Sequence, residues 1–206
     1  MPLLVETIRA EDGRFENLKY HHERMRQSRR TLFGLENSLE SSLLELLDRS
    51  AGKIGSGRWK VRVLYDSEIR SLEAGAYQPK PLASAALVDG RGISYTFKTA
   101  DRSELDEINQ RAVEAGADTA LIVSKGFISD FPYANAAFFD GRYWWTPEEP
   151  LLAGTRRARL LADGLIRPCR ISPENLKKYI SVSPVNAMLE LGEIMVDIGC
   201  INREVL

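Results

Sequence analysis

Lys98 lies in the run ISYTFKTADR (93–102), between an aromatic-rich extended stretch and a polar helix start. The ordinary reading is a solvated lysine ahead of a helix. Its second reading comes from position, because the chain changes character around Gly90–Ser94 and ligand sites concentrate at junctions between lobes. A lysine desolvated there would have a lowered pKa and would condense with a carbonyl as a Schiff base. Farther on, Gly126-Phe127-Ile128-Ser129-Asp130 ends an apolar strand on an acid, five residues before Asn135. Asp130 is either a loop cap or a carboxylate set in an apolar stretch, where it needs a cationic partner. Gly154-Thr155-Arg156-Arg157 opens a helix. Its first N–H groups and the Thr155 hydroxyl make either an ordinary cap or a site for an anion. His21, His22 and Arg24 share one helical turn without a cysteine or a suitably spaced acid, so no metal site is expected. A buried His21 tying down a neighbouring loop is the more economical reading.

These residues need elements to position them. Leu3 to Arg9 reads as a strand, and Glu11-Asp12-Gly13-Arg14 as the turn after it. Leu18 to about Thr31 is helical, with Leu18, His21, Met25 and Ser28 on one stripe. A second helix spans about Leu39–Arg49, with Asn37 or Ser38 available as its cap. Trp59–Tyr65 alternates apolar and basic residues as a half-buried strand does, and Leu82–Val88 reads as another strand. We place the lobe boundary at residue 92, giving a small N-terminal lobe over 1–92 and a larger one over 93–206. In the second lobe, Ser103–Ala115 is a helix, and Thr119–Ser124 and Phe127–Ser129 are strands. Asp140-Gly141 turns a hairpin between Ala136–Phe139 and Arg142–Trp145. Helices are expected from Thr155 to about Asp163 and from Pro173, and a strand pair over Met188–Val205. The class is α/β (α+β) with two lobes.

Composition narrows the function classes. The 206 residues are 44% hydrophobic and 28% charged, enough apolar material for a folded core. Lys+Arg 28 against Asp+Glu 29 leaves a net charge of -1, which argues against nucleic-acid binding through bulk positive charge. No run approaches a membrane span, and the apolar opening meets Glu6 too soon for a signal peptide. A cytoplasmic protein is the expectation. Cys169 and Cys200 form no zinc half-site and read as small buried hydrophobes.

In order, ETIRAEDGRFENLKYHHERM, FKTADR, ADTALIVSKGFISDFPYANAAFFDG, PLLAGTRRARLL and VSPVNAM run nearly the whole length of the chain. Together they resemble the class IV pyridoxal-phosphate aminotransferases. That family includes branched-chain and D-amino-acid aminotransferases and aminodeoxychorismate lyases. The resemblance implies a fold-type IV enzyme with two lobes, the cofactor pyridoxal 5'-phosphate (PLP) between them, and a homodimer acting on a small amino substrate. It implies that Lys98 carries the cofactor as a Schiff base and that Arg24, in the His-x-x-Arg pair with His21, binds its phosphate. Asp130 would pair with the pyridine nitrogen and stay ionised, its pKa below the free value. Asn135, Thr155, Arg156 and Asn186 would complete the cofactor site.

Three features depart from the family pattern. Asp130 stands where Glu is usual, Thr155-Arg156 where Ile-Thr is common, and the chain begins close to ETIR, which implies a shortened N-terminal lobe. Lys98-Thr-Ala-Asp-Arg and Ala117-Asp-Thr-Ala-Leu are closer to the lyase runs than to those of branched-chain aminotransferases. The resemblance therefore implies a 4-amino-4-deoxychorismate lyase-like enzyme releasing pyruvate. A branched-chain or D-amino-acid aminotransferase is the alternative, and a non-catalytic protein of the same fold is a third reading. Arg62, inward or outward on its strand, stands about where aminotransferases reach a substrate carboxylate.

Overall fold

Strand β1 (Leu4–Glu11) sends Leu4, Ile8 and Ala10 into one apolar cluster, and the two-residue period of a strand turns Glu6 the same way. After the turn at Asp12-Gly13, both at positive φ, β2 (Arg14–Phe15) folds back on its end. Helix α1 (Leu18–Phe33) buries His21, Met25, Ser28 and Arg29 along one stripe. Helix α2 (Glu40–Ala51) adds Leu43 and Leu47 to the same cluster, and Ser38 Oγ accepts the Glu40 N–H at 3.0 Å. Strands β3 (Arg58–Tyr65) and β4 (Ile69–Ala76) complete an antiparallel sheet of order β2-β1-β3-β4. Val61, Val63 and Tyr65 point into the cluster, and Arg62 between them is exposed.

The structure, a computed structural model, describes residues 1–203 and divides into two compact units. The first holds residues 1–79 with 97–101; the second holds 80–96 and 102–203. In the second unit, β5 (Ala85–Asp89) leads through α3 (Ser103–Glu114) to β6 (Ala120–Ser124), which runs parallel to it. Ala86, Val88, Ala120 and Ile122 pack against Leu105, Ile108 and Ala112 of α3. Their alternates Ala85, Leu87, Leu121 and Val123 enter a second cluster with Phe138 and Val182.

Strand β7 (Phe127–Ile128) pairs with β6, and β8 (Asp130–Phe131) forms a tight hairpin with β9 (Ala134–Phe139). Then follow β10 (Trp144–Pro147), α4 (Thr155–Ala162), β11 (Arg167–Cys169), β12 (Ser181–Val185), β13 (Val196–Asp197) and β14 (Ile201–Asn202). The sheets run β11-β10-β9-β12-β13, with β8 on β9, and β14-β5-β6-β7. At the β9–β10 turn, the Asp140 carboxylate accepts the N–H groups of Arg142 and Tyr143 and the indole N–H of Trp145, each at 2.7 Å.

Several sequence expectations are corrected. Strand β5 lies before the boundary set at residue 92, yet its parallel pairing with β6 places it in the second unit. Phe97–Asp101, with Lys98, belongs to the first. The tail is not a strand pair, because β13 joins β12 and β14 joins β5 in the other sheet. Val205, the end of that expected pair, lies outside the described residues. Pro173–Lys178 is a 3-10 helix. Neither cysteine is buried, Cys169 being half-buried and Cys200 exposed.

Candidate active site

Two groups of residues stand out, one in each unit. In the first, Glu6 from β1 meets His21 and Arg24 from α1. Arg24 grips the carboxylate with Nε at 2.9 Å from Oε1 and Nη2 at 2.5 Å from Oε2, and His21 Nδ1 lies 2.6 Å from Oε2. Both Glu6 and His21 are fully buried. Burial alone would raise the Glu6 pKa, but the Arg24 charge and the hydrogen bonds from His21 and Arg24 outweigh it and bring it down to about 2. An ionised carboxylate only accepts, so His21 Nδ1 carries the hydrogen. Burial pushes the His21 pKa down, and the ring is therefore neutral.

The sequence expectation that a buried His21 anchors a neighbour is met here by a strand carboxylate instead of a loop. Glu6 itself was missed. The signal was its parity on the strand, which sets an acid in line with Leu4, Ile8 and Ala10.

Lys98 is half-buried, and its main chain lies beside β1: Val5 N–H donates to Lys98 O at 2.9 Å, and Ala100 N–H to Leu3 O at 2.7 Å. A single strand thus fixes Lys98 and, through Glu6, Arg24. Arg62 sits opposite Thr7 on β3, on the face away from the apolar cluster.

In the second unit, Asp130 and Asn135 are direct cross-strand partners in the β8–β9 hairpin. The five-residue spacing noticed in the sequence is therefore the reach across one tight turn, which brings both side chains to the same face. Asn135 Nδ2 donates to Asp130 Oδ1 at 2.8 Å and to Leu152 O at 2.8 Å, and Leu152 N–H donates to Asp130 Oδ2 at 3.1 Å. The carboxyl is buried, and desolvation raises its pKa to about 6 despite these bonds and the charge of Arg157. The expected fall below the free value belongs to a carboxylate beside the pyridinium; against Arg157 alone, loss of water outweighs the charge.

Arg157, absent from the expected site residues, donates through Nε to Thr146 Oγ1 at 3.2 Å and through Nη2 to Pro147 O at 2.8 Å. Its signal was the arginine of the Gly-Thr-Arg-Arg run itself.

Thr155 and Arg156 open α4 and are buried, and Arg156 pairs with Glu190 at 2.9 Å. Asn186 Oδ1 accepts the N–H groups of Met188 and Leu189, and its Nδ2 donates to Tyr133 O at 3.2 Å. Gly154 has extended backbone geometry that any residue accepts, but a Cβ there would stand 2.0 Å from Asn135 Oδ1. Gly154→Ala must push Asn135 off Asp130 and is expected to lower stability by about 1–3 kcal/mol. Thermal unfolding checks this, and an unchanged Tm would show that the loop yields without cost.

The family model for amino-transferase class IV matches residues 3–194. An uncharacterised protein of Haemophilus influenzae is 30% identical over 186 residues, covering 90% of this chain and 97% of that one. A crystal structure from Haemophilus somnus, provisionally assigned as a 4-amino-4-deoxychorismate lyase, superposes with a TM-score of 0.84 at 27% identity; the match covers 93% of this chain and 98% of the other. A hypothetical aminotransferase from Mycobacterium tuberculosis, in its PLP-bound form, shares the fold with a TM-score of 0.76 at 18% identity, over 97% of this chain and 81% of that one. The mixed α/β architecture with several sheets is that of the fold-type IV enzymes, and the family's members depend on PLP. On the match over residues 3–194, the chain belongs to the class IV aminotransferase family.

Proposed function

We propose that this protein is a PLP-dependent enzyme acting on a small amino-bearing substrate, a 4-amino-4-deoxychorismate lyase-like enzyme that releases pyruvate. The observation carrying the lyase reading is the likeness at 27% identity, across 93% of the chain, to the structure provisionally assigned that activity. The lyase-like runs Lys98-Thr-Ala-Asp-Arg and Ala117-Asp-Thr-Ala-Leu support it. The likeness in fold to the PLP-bound aminotransferase keeps transamination of branched-chain or D-amino acids as the second reading.

The residues fit PLP in chemistry. Asp130 is a buried acid held on both oxygens, suited to a pyridinium N–H. Arg24, with its guanidinium fork fixed by Glu6, suits the phosphate, as does the N-terminus of α4, where Thr155 is buried. Lys98 supplies the amine. Asn135 keeps Asp130 in place, and in this reading Arg156 and Asn186 complete the cofactor's surroundings. Arg62, exposed on β3, would receive a substrate carboxylate.

When bound, PLP supplies the electron sink that makes the substrate Cα–H acidic. Lys98 Nζ would hold the cofactor through its carbonyl, and as a free amine it would take the Cα proton as general base. Asp130 would keep a proton on the pyridine nitrogen. Asn135 and the Leu152 N–H keep that carboxylate from turning away.

A cytoplasmic homodimer is part of the proposal. Sedimentation at twice the 23.1 kDa chain mass is expected. No helix among the described residues is long and apolar enough to cross a membrane.

The test is to add PLP to the purified protein, record its visible absorbance, and treat it with borohydride. A band that borohydride removes is expected. A separate, unreduced sample with PLP, incubated with 4-amino-4-deoxychorismate, should release pyruvate without consuming a keto acid. Keto-acid-dependent turnover without pyruvate selects the aminotransferase reading. A protein that PLP never colours overturns both in favour of a non-catalytic member of the fold.

A further inference from the structure

Glu6 touches no reacting group in the chemistry above, yet it is an ionised group with no exposed surface, bonded to the residue that would grip the cofactor phosphate. Its carboxylate meets three donors: Arg24 Nε on one oxygen, and Arg24 Nη2 and His21 Nδ1 on the other. An arginine side chain loses much rotamer freedom when it is fixed. Gripped along its Nε–Nη2 side by a planar carboxylate, the guanidinium has both its plane and its direction set before any ligand arrives. His21, buried and neutral, closes the remaining side of Oε2 without adding a charge. Glu6 is one residue from Val5, whose N–H holds the Lys98 carbonyl, and Leu3 O holds the Ala100 N–H. Residues 3–6, at the start of β1, therefore locate both the Lys98 main chain and the Arg24 guanidinium. PLP carries its aldehyde and its phosphate ester on neighbouring ring carbons, so two protein groups that bind them must keep a fixed separation.

We propose that Glu6 is a positioning residue for phosphate recognition, orienting Arg24 from the same stretch of strand that holds Lys98. This rests on the reading that Arg24 binds the phosphate of PLP.

The experiment compares equilibrium binding of PLP and of pyridoxal, which lacks the phosphate, to four proteins. They are the wild type, Glu6→Gln, Glu6→Asp and the double variant Glu6→Gln/Arg24→Ala. The double variant removes the buried charge together with its partner, so neither is left unpaired. Pyridoxal binding reads the contacts other than the phosphate, Lys98 and Asp130 among them, and the ratio of the two affinities reads the phosphate contact. In Glu6→Gln the carboxylate becomes an amide that keeps the shape but loses the charge and one acceptor. The preference for PLP over pyridoxal should fall about tenfold, a loss of about 1.4 kcal/mol, while pyridoxal affinity changes little. The double variant should lose no less. Should Glu6→Gln fail to fold by circular dichroism, Glu6→Asp carries the measurement, since it keeps the charge but withdraws it from the guanidinium. A selective drop in PLP affinity of about threefold or more is then expected.

Equal weakening of both ligands by the Glu6 variants overturns the proposal, because it shows a general structural role. An intact PLP preference in Glu6→Gln, or failing that in Glu6→Asp, beside a collapsed one in the double variant, also overturns it and leaves Arg24 as the phosphate ligand. An intact preference in the double variant removes Arg24 from the phosphate altogether, and the proposal goes with it.

Discussion

Lys98→Ala is expected to abolish the borohydride-sensitive visible band and to reduce turnover by at least about 10³-fold, with the fold unchanged. The fold should survive because Lys98 joins β1 through its carbonyl, which accepts the Val5 N–H, and alanine keeps that carbonyl. What disappears is the amine that makes the covalent link and then moves the proton. Lys98→Arg is the informative companion, since it keeps a cation of similar reach that does not form the imine. It should be as inactive as alanine. A near-normal band and turnover in either variant would remove Lys98 from the chemistry, and circular dichroism separates that result from simple unfolding.

Asp130→Asn is expected to bind PLP and yet lose about 10²–10³-fold in turnover, because an amide does not hold the pyridine nitrogen protonated. Asp130→Glu keeps the charge and should retain most activity. Its extra methylene, inside a hairpin already packed against Asn135 and Leu152, should cost about 1–3 kcal/mol in stability. A pH signature separates this carboxyl from the others. Its pKa rises from 3.8 to about 6 on folding, so between those values the folded chain binds a proton that the unfolded chain has lost. Stability of the cofactor-free protein should therefore fall as pH rises through that window, by up to about 3 kcal/mol from this group. Asp130→Asn should lack that component. Glu6 works in the opposite sense: its contribution is present above 4.5 and is lost as pH falls towards about 2. Melting temperatures of wild type and Asp130→Asn at pH 4.5 and 7.5 make the comparison. Parallel pH dependences, or near-normal turnover in the Asn variant, would return Asp130 to the role of a loop cap.

Local signals in the sequence carried well where the structure is local. The His21, Met25 and Ser28 stripe is the buried side of α1, and Asp140-Gly141 turns the β9–β10 hairpin. The five-residue gap from Asp130 to Asn135 is a hairpin register. What escaped were pairings between distant segments. Nothing near Leu82–Val88 announces that this strand joins β6 beyond a helix, or that the tail splits between two sheets. Lys98 returns to the first unit because β1, far back in the chain, offers it an edge. Glu6 is the instructive omission. An acid in an apolar strand looks like an interruption until two donor residues arrive from the helix that follows, and only the strand's parity hints at them. Cys169 and Cys200 show the converse, where apolar neighbours in sequence did not mean burial in space.

The parallel pairing of β14 with β5 has a consequence for how the molecule comes into being. Ile201 aligns with Ala85 and Asn202 with Ala86, so one edge of a four-stranded sheet joins segments separated by more than half the chain. The antiparallel strands of the first unit lie within residues 4–76, and its longest pairing, β1 with β3, still closes a far shorter stretch than the β14 edge does. The β14 edge must wait for nearly all of the chain, and closing so long a loop delays the reward of its contacts. On the ribosome, β1 to β4 can assemble while the second unit is still being made, whereas β5 emerges early and stays unpaired on one side until the last strand arrives. During that interval its apolar residues, Ala85 to Val88, are the stretch of nascent chain most in need of shielding.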